Sequence, residues 1–389
     1  MKRIFLSLLT LGTAAVLAVS CNKDMEKGAP AVSPKMQLAE NSIYFGVREF
    51  STRSVVEATA ASVQSHGFAV AASAFNASSD YYSTYFNRYA SYNSTDEVYL
   101  MPAIYYYPAE GHLDIYAAAF NGPSATMTAF DAKNEAGKLA DLPISISEES
   151  GYEGQASLAW SFAANDERDI IFSRAWDVEA QGNAQNMAFY HGSSQLAFTA
   201  LGADANVTYK LHYLGAVAPK SGEFFFDDDF VYTADATPVP YTFGSWTRSN
   251  ELSNVYATDA ASSNYVESVW CNKAFNIAVG SNLGDDISTS SATAITGSYS
   301  FIPGNVQLKV EWSCWKDDVC VGHYTRYTAG VSGKVGTPIA LAQGKRTTVN
   351  LTLPNDEAAQ IKFTISVAAW QDASQDVTMS AGQEENPTT

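Results

Sequence analysis

Short apolar or alternating runs recur along the whole chain. They are rich in Val, Ile, Phe, Tyr and Thr and are broken by clusters of Gly, Asn, Asp and Pro, while helical periodicity is nearly absent. Period-two alternation places successive side chains on opposite faces of an extended chain, which is the pattern of half-buried strands. In the first half the runs are Gly67–Phe75, Val98–Tyr107, His112–Phe120, Ala125–Phe130, Ser157–Ala163, Asp169–Ala175, Asn186–His191 and Gln195–Leu201. In the second half they are Thr208–Gly215, Glu223–Phe226, Val231–Thr233, Phe275–Val279, Tyr299–Ile302, Val306–Trp312, Val319–Tyr327, Thr347–Leu353 and Ile361–Trp370. With no helices to carry parallel crossovers, the expected class is all-β, built of antiparallel sandwiches. Two Ser/Asn-rich stretches, Asn76–Asp96 and Asn254–Asn264, read as long surface loops.

The N-terminus is organised differently. Met1-Lys2-Arg3 precedes an apolar run from Ile4 to Val19, and Ser20-Cys21 follows. A basic start, a short apolar core and small residues before a cut site form a secretory signal. Such a run is shorter than the span of about 20 residues a membrane helix needs. The ending Ala18-Val19-Ser20-Cys21 resembles a bacterial lipobox, in which the cysteine is diacylated and becomes the new N-terminus. A polar leash runs from Asn22 to Ala39, and then comes Asn41-Ser42-Ile43-Tyr44-Phe45-Gly46-Val47. Alternation puts Ile43, Phe45 and Val47 on one face. Two arginines, Arg48 and Arg53, close the stretch.

About 370 residues remain after processing, a length that favours two domains. The expected segments are a signal peptide at 1–20, a leash and first strand at 21–48, sandwiches at 49–204 and 205–376, and a frayed polar tail at 377–389. Residues 1–48 hold six Lys/Arg and three Asp/Glu, so the remainder carries 17 basic and 38 acidic residues, a net charge of −21. That surface repels phosphate backbones, and no nucleic-acid partner is expected. Cys271, Cys314 and Cys320 lie in the body of the chain. An exported protein permits a disulfide, and Cys314/Cys320 is the short-loop pair; buried free thiols are the equal alternative.

Three groups of residues, taken in order, resemble the fimbrillin family, the lipoprotein precursors of type V pili. They are Ile43-Tyr44-Phe45 with Thr52-Arg53; Tyr107-Pro108 through Gly111-His112-Leu113-Asp114-Ile115-Tyr116, with Phe189-Tyr190-His191 and Leu196-Ala197-Phe198; and a C-terminal block. That block runs from Phe301-Ile302-Pro303 through Gly344-Lys345 to Ile361, Val367 and Trp370. The resemblance implies two transthyretin-like β-sandwiches and lipidation at Cys21. It further implies cleavage by an arginine-specific protease after Arg48, or alternatively Arg53, and assembly with other pilin subunits by strand donation. The implied location is the outer membrane before cleavage and a cell-surface fimbria after it. Ile43, Phe45 and Val47 would then be the removable strand.

No catalytic site, metal site or cofactor is expected. His66, His112, His191, His212 and His323 show no HExxH-like spacing, and neither a GxSxG elbow nor a Walker loop occurs. The acidic clusters Asp227-Asp228-Asp229, Asp285-Asp286 and Asp317-Asp318 read as solvated turns. Trp246, Trp270, Trp312 and Trp315 read mainly as core. On a regular strand Trp312 and Trp315 would face opposite sides, so at most one of the two is expected inside. A rival reading is a surface lipoprotein that binds glycan or host protein through exposed tryptophans such as Trp246 or Trp315, without polymerising.

Overall fold

The computed structural model describes residues 41–47, 63–121, 144–226, 245–248, 265–275, 284–328, 339–356, 361–369 and 377–379. Strand is the dominant regular structure of the described residues, beside one short helical turn at 63–66. The first ten strands are β1 (Phe45–Val47), β2 (Phe68–Phe75), β3 (Tyr81–Asn93), β4 (Val98–Leu100), β5 (His112–Asn121), β6 (Ile144–Ile146), β7 (Ala156–Ser161), β8 (Asp169–Val178), β9 (Gln185–Met187) and β10 (Tyr190–His191). Then come β11 (Ser194–Gly202), β12 (Thr208–Pro219), β13 (Ser221–Phe225), β14 (Ser245–Arg248), β15 (Tyr265–Asn272), β16 (Asp285–Ile287) and β17 (Thr293–Phe301). The last are β18 (Gly304–Lys316), β19 (Val319–Tyr327), β20 (Ile339–Leu341), β21 (Lys345–Leu353), β22 (Lys362–Ala369) and β23 (Val377–Met379).

The strands form four sheets. One has eight strands in the order β10-β8-β5-β2-β3-β4-β1-β9, and a four-stranded sheet β14-β13-β7-β6 covers one of its faces. Ala69, Ala71, Tyr116, Phe120 and Phe172 of the larger sheet meet Leu158 and Phe224 of the smaller one, with Phe172 and Phe224 stacked at 3.8 Å. The alternate residues of β2 and β5 (Phe68, Val70, Ala72, Leu113, Ile115) pack instead on Ile43, Phe45, Tyr99 and Met187. Those last residues belong to the far end of the same hydrogen-bonded sheet. The sheet therefore curls over its own second face, and the register shifts along β2–β3 supply bulges that bend it. This is why β2 and β5 are largely apolar rather than alternating, with Ser73 and Asp114 as buried polar exceptions: both faces are covered.

A second core lies between the five-stranded sheet β17-β11-β21-β22-β23 and the six-stranded sheet β15-β12-β18-β19, in which β16 joins β12 and β20 joins β18. Trp312, Tyr209, Phe198 and Phe301 are its large fully buried side chains. The chain moves between the two cores more than once. After β12, which belongs to the second core, β13 pairs with β7 of the first. Val377–Met379, inside the stretch expected to fray, forms the edge strand β23 on β22.

Several expectations are corrected. Asn76–Asp96 is not a loop, because β3 fills most of it. Tyr, Thr and Phe suit a half-buried pleated surface, and of the Ser and Asn between them only Ser91 is exposed, the others being half-buried. The actual turn is short: the Asn76 carboxamide oxygen accepts from the amides of Ser78 and Asp80. Val98–Tyr107 is strand only to Leu100, since Pro102 offers no N–H to a ladder. Asn186–His191 is split, with β9 turning to β1 and β10 to β8. Pairing is mostly antiparallel, yet β1–β9 and β11–β21 run parallel. Phe275 is outside any strand, and Ala125–Phe130, Val231–Thr233 and Asn254–Asn264 lie outside the described residues.

Candidate functional site

β1 occupies an internal position in the eight-stranded sheet although it contributes only three residues. On one side Phe45 pairs antiparallel with Tyr99 of β4. On the other side Phe45, Gly46 and Val47 run parallel to Gln185, Asn186 and Met187 of β9. The residues before β1 extend this hold. The Ile43 amide donates to the Tyr105 carbonyl at 2.7 Å, and the Tyr107 amide donates to the Asn41 carbonyl at 3.0 Å. The Gln185 amide donates to the Tyr44 carbonyl at 2.8 Å. A bridge links Ser42 to Tyr106.

The side chains match the alternation. Ile43 and Phe45 are buried, Phe45 completely, and both belong to the core formed with Phe68, Tyr99, Met187 and Phe189. Phe68 is the hub, with ring centroids 5.6 Å from Phe45, 5.2 Å from Tyr99 and 5.3 Å from Phe189. Val47 departs from the expectation: at the end of β1 it is half-buried and only packs against that core. Burying Ile43 and Phe45 is worth roughly 1.5–3 kcal/mol each before entropy. Burial, followed by the neighbouring Tyr92 and Tyr89, pushes the Tyr99 phenol well above its ordinary pKa, and burial also raises Tyr107, against a hydrogen bond from Gln181. These two phenols are thus neutral near pH 7, and the slot's aromatic wall is apolar.

Withdrawing β1 has a definite structural consequence. Among the described strands β9 pairs with β1 alone, and β4 retains only β3. Two rows of amides and carbonyls and the apolar side of Phe68 and Tyr99 would lose their cover at once. Exposed edges of that kind accept another strand.

Of the remaining sequence-predicted residues, Cys21, Arg48 and Arg53 lie outside the described residues. Cys314 and Cys320 are not bonded to each other here; they and Cys271 are free thiols, with Cys271 and Cys314 buried. Trp315 corrects its expectation: it is buried along with Trp312. The two do lie on different faces. Trp312 enters the second core, whereas Trp315 donates to the Ser313 hydroxyl at 2.7 Å on the other side of the sheet. Trp270 is buried as well, so neither it nor Trp315 offers an open sugar-stacking platform; Trp246 lies on β14, and its side chain is outside the described residues. Asp285 and Asp286 open β16 rather than a turn, and Asp286 pairs with Lys210. Asp317 and Asp318 do form a turn, with φ of 47° and 61°, the two left-handed residues of a tight hairpin. Asp227–Asp229 lie outside the described residues.

Sequence reasoning missed the partners of β1. Nothing local marks Gln185–Met187 as a parallel neighbour of Phe45–Val47, since that pairing spans some 140 positions.

The described chain is an all-β protein. No family model matches it, and no curated protein matches it. Among solved structures it is similar to candidate cell adhesion proteins from Bacteroides ovatus (13% identity, 79% of this chain and 88% of that one, TM-score 0.37) and Bacteroides uniformis (10%, 86% and 100%, 0.38). A third, from Parabacteroides distasonis, shares 8% identity over 86% of this chain and 98% of its own, with a TM-score of 0.38.

Proposed function

We propose that this chain is a structural subunit of a cell-surface filament, exported as a lipoprotein and assembled by strand exchange. The observation that carries the reading is the place of β1: an internal strand with Phe45 wholly buried, preceded by a leash and followed directly by Arg48. In the uncut chain β1 is tethered and rebinds its own slot at high effective concentration. A cut after Arg48, or after Arg53, removes that advantage and leaves β1 held only by its own contacts. Once it dissociates, a strand from a sister molecule restores both backbone pairing and apolar cover, which is β-augmentation. Head-to-tail donation does not close on itself and therefore propagates. Lipidation at Cys21 would hold the precursor on the outer membrane until an arginine-specific protease acts.

Brief trypsin treatment of the folded chain tests this. The expected result is early cleavage at Arg48 or Arg53, loss of the N-terminal fragment, and a ladder of oligomers that lengthens with concentration. The double variant Arg48→Ala, Arg53→Ala is expected to stay monomeric under the same treatment. A clipped product that remains monomeric at high concentration, or filaments from the double variant, would overturn the proposal.

A further inference from the structure

The best-formed cluster of ligating side chains lies away from the β1 slot, on β5 and β8. His112 and Asp114 are two apart on β5 and therefore share a face. The neighbouring strand has a bulge at this point: Leu113 pairs with Val178 and Ile115 with Ala175, so Trp176 and Asp177 together oppose Asp114. The extra residue puts Asp177 at φ 51° and turns its amide onto the Asp114 carboxylate at 3.0 Å. Bulges of this sort re-aim side chains. The outcome is one imidazole nitrogen and two carboxylate oxygens all within 4.8 Å of one another.

We infer that His112, Asp114 and Asp177 form a binding site for a divalent transition cation, of which Zn²⁺ is the fitting example. His112 Nε2 and Asp177 Oδ1 are 3.3 Å apart. Two ligands at about 2.0–2.1 Å on a tetrahedral ion are separated by about 3.3 Å, so this edge of the coordination shell has the required length without movement. Asp114 is the fixed acceptor, nine-tenths buried and oriented by the Asp177 amide. His112 is fixed too, its ring stacked on Phe75 at 5.0 Å with 10° between planes. The Asp177 side chain is 84% exposed and supplies the outer ligand of the shell. One imidazole with two carboxylates suits Zn²⁺ better than Ca²⁺, which takes six to eight oxygens.

The surroundings point to an exchangeable ion. Asp114 and Asp177 also line a cavity of about 390 Å³ walled by Tyr116, Tyr152, Glu153 and Trp176. Three protein ligands beside open space leave a position for water or for an oxygen of a bound molecule, as in sites that keep a coordination place free. The sequence hid this cluster because the third ligand is brought in by a bulge 63 positions along the chain rather than by a fixed spacing.

The test uses the untagged full chain, stripped of metal and titrated calorimetrically with ZnCl₂, with Co²⁺ absorption reporting coordination geometry. One equivalent is expected to bind, with tetrahedral d–d bands in the Co²⁺ form. Asp177→Asn and His112→Gln are each expected to weaken binding by about 10-fold or more. Circular dichroism confirms folding, which the exposed Asp177 position spares. No binding, affinity unchanged in both variants, or Ca²⁺ held more tightly than Zn²⁺ would each overturn the assignment.

Discussion

Phe45 stands edge-on to Phe68, their ring centroids 5.6 Å apart and their planes 74° apart. A residue from the segment proposed to be discarded thus completes the packing around Phe68, which also meets Tyr99 and Phe189. Stability of the uncut chain and readiness of the cut chain to accept another strand are consequently two aspects of one contact.

Truncating Phe45 measures that contact. Phe45→Ala is expected to destabilise the uncut chain by about 3–5 kcal/mol, the range for fully buried aromatics. Val47→Ala, at a half-buried position, is expected to cost clearly less. Urea unfolding of both variants supplies the comparison, and equal midpoints would mean that burial does not set what each position contributes.

How far the sequence disclosed this arrangement depends on the range of the signal. β5 was legible almost to the residue from the mostly apolar run His112–Phe120, to which the strand adds only Asn121. The alternation of Ile43 and Phe45 likewise marked β1. What stayed hidden was non-local. β3 read as loop because Ser and Asn outnumber Tyr and Phe across 76–96, whereas its pairing with β2 is not written locally. The meeting of Asp177 with His112 comes from a bulge between β5 and β8. Strand propensity describes fit to neighbours, and neighbours are not written locally.

Asp169 and His191 form a second buried pairing with a measurable consequence. The His191 Nδ1 contacts one carboxylate oxygen of Asp169, and the Ser193 hydroxyl donates to the other at 2.5 Å. Ser193 in turn accepts from the Ile170 amide at 3.0 Å, so the cluster pins β8 to the start of β11. Asp169→Ala strands these buried donors and is expected to cost about 3–5 kcal/mol. Combining it with His191→Phe should recover part of that loss, read as a coupling energy in a double-mutant cycle.

The thiols give a chemical readout. Burial, aided by Asp285, pushes Cys271 up to about 12, and burial, aided by Cys320, pushes Cys314 up to about 12. At pH 8 roughly one such thiol in 10⁴ is a thiolate, so both are expected to resist a thiol reagent in the folded chain. After unfolding in denaturant without reductant, Cys271, Cys314 and Cys320 should all label. Labelling of Cys271 alone would reveal a Cys314–Cys320 bond instead.

His212 makes stability depend on pH. It is 1% exposed, its Nε2 meets the Ser313 hydroxyl at 2.7 Å, and its Nδ1 is buried with no hydrogen-bond partner among the described residues. Burial first, then the nearby His323, hold its pKa below the ordinary 6.5; Glu311 opposes this and Lys210 adds to it. Because the folded pKa is the lower one, the unfolded chain binds more protons between the two values, and stability rises with pH across that window. The contribution is therefore complete above pH 6.5 and declines as the pH falls from there towards the depressed folded value. Urea midpoints taken from pH 7.5 downward should drop more steeply for the native chain than for His212→Gln. Parallel curves would show that His212 does not set this slope, and the difference between the two slopes isolates His212 from the carboxylates that titrate at lower pH.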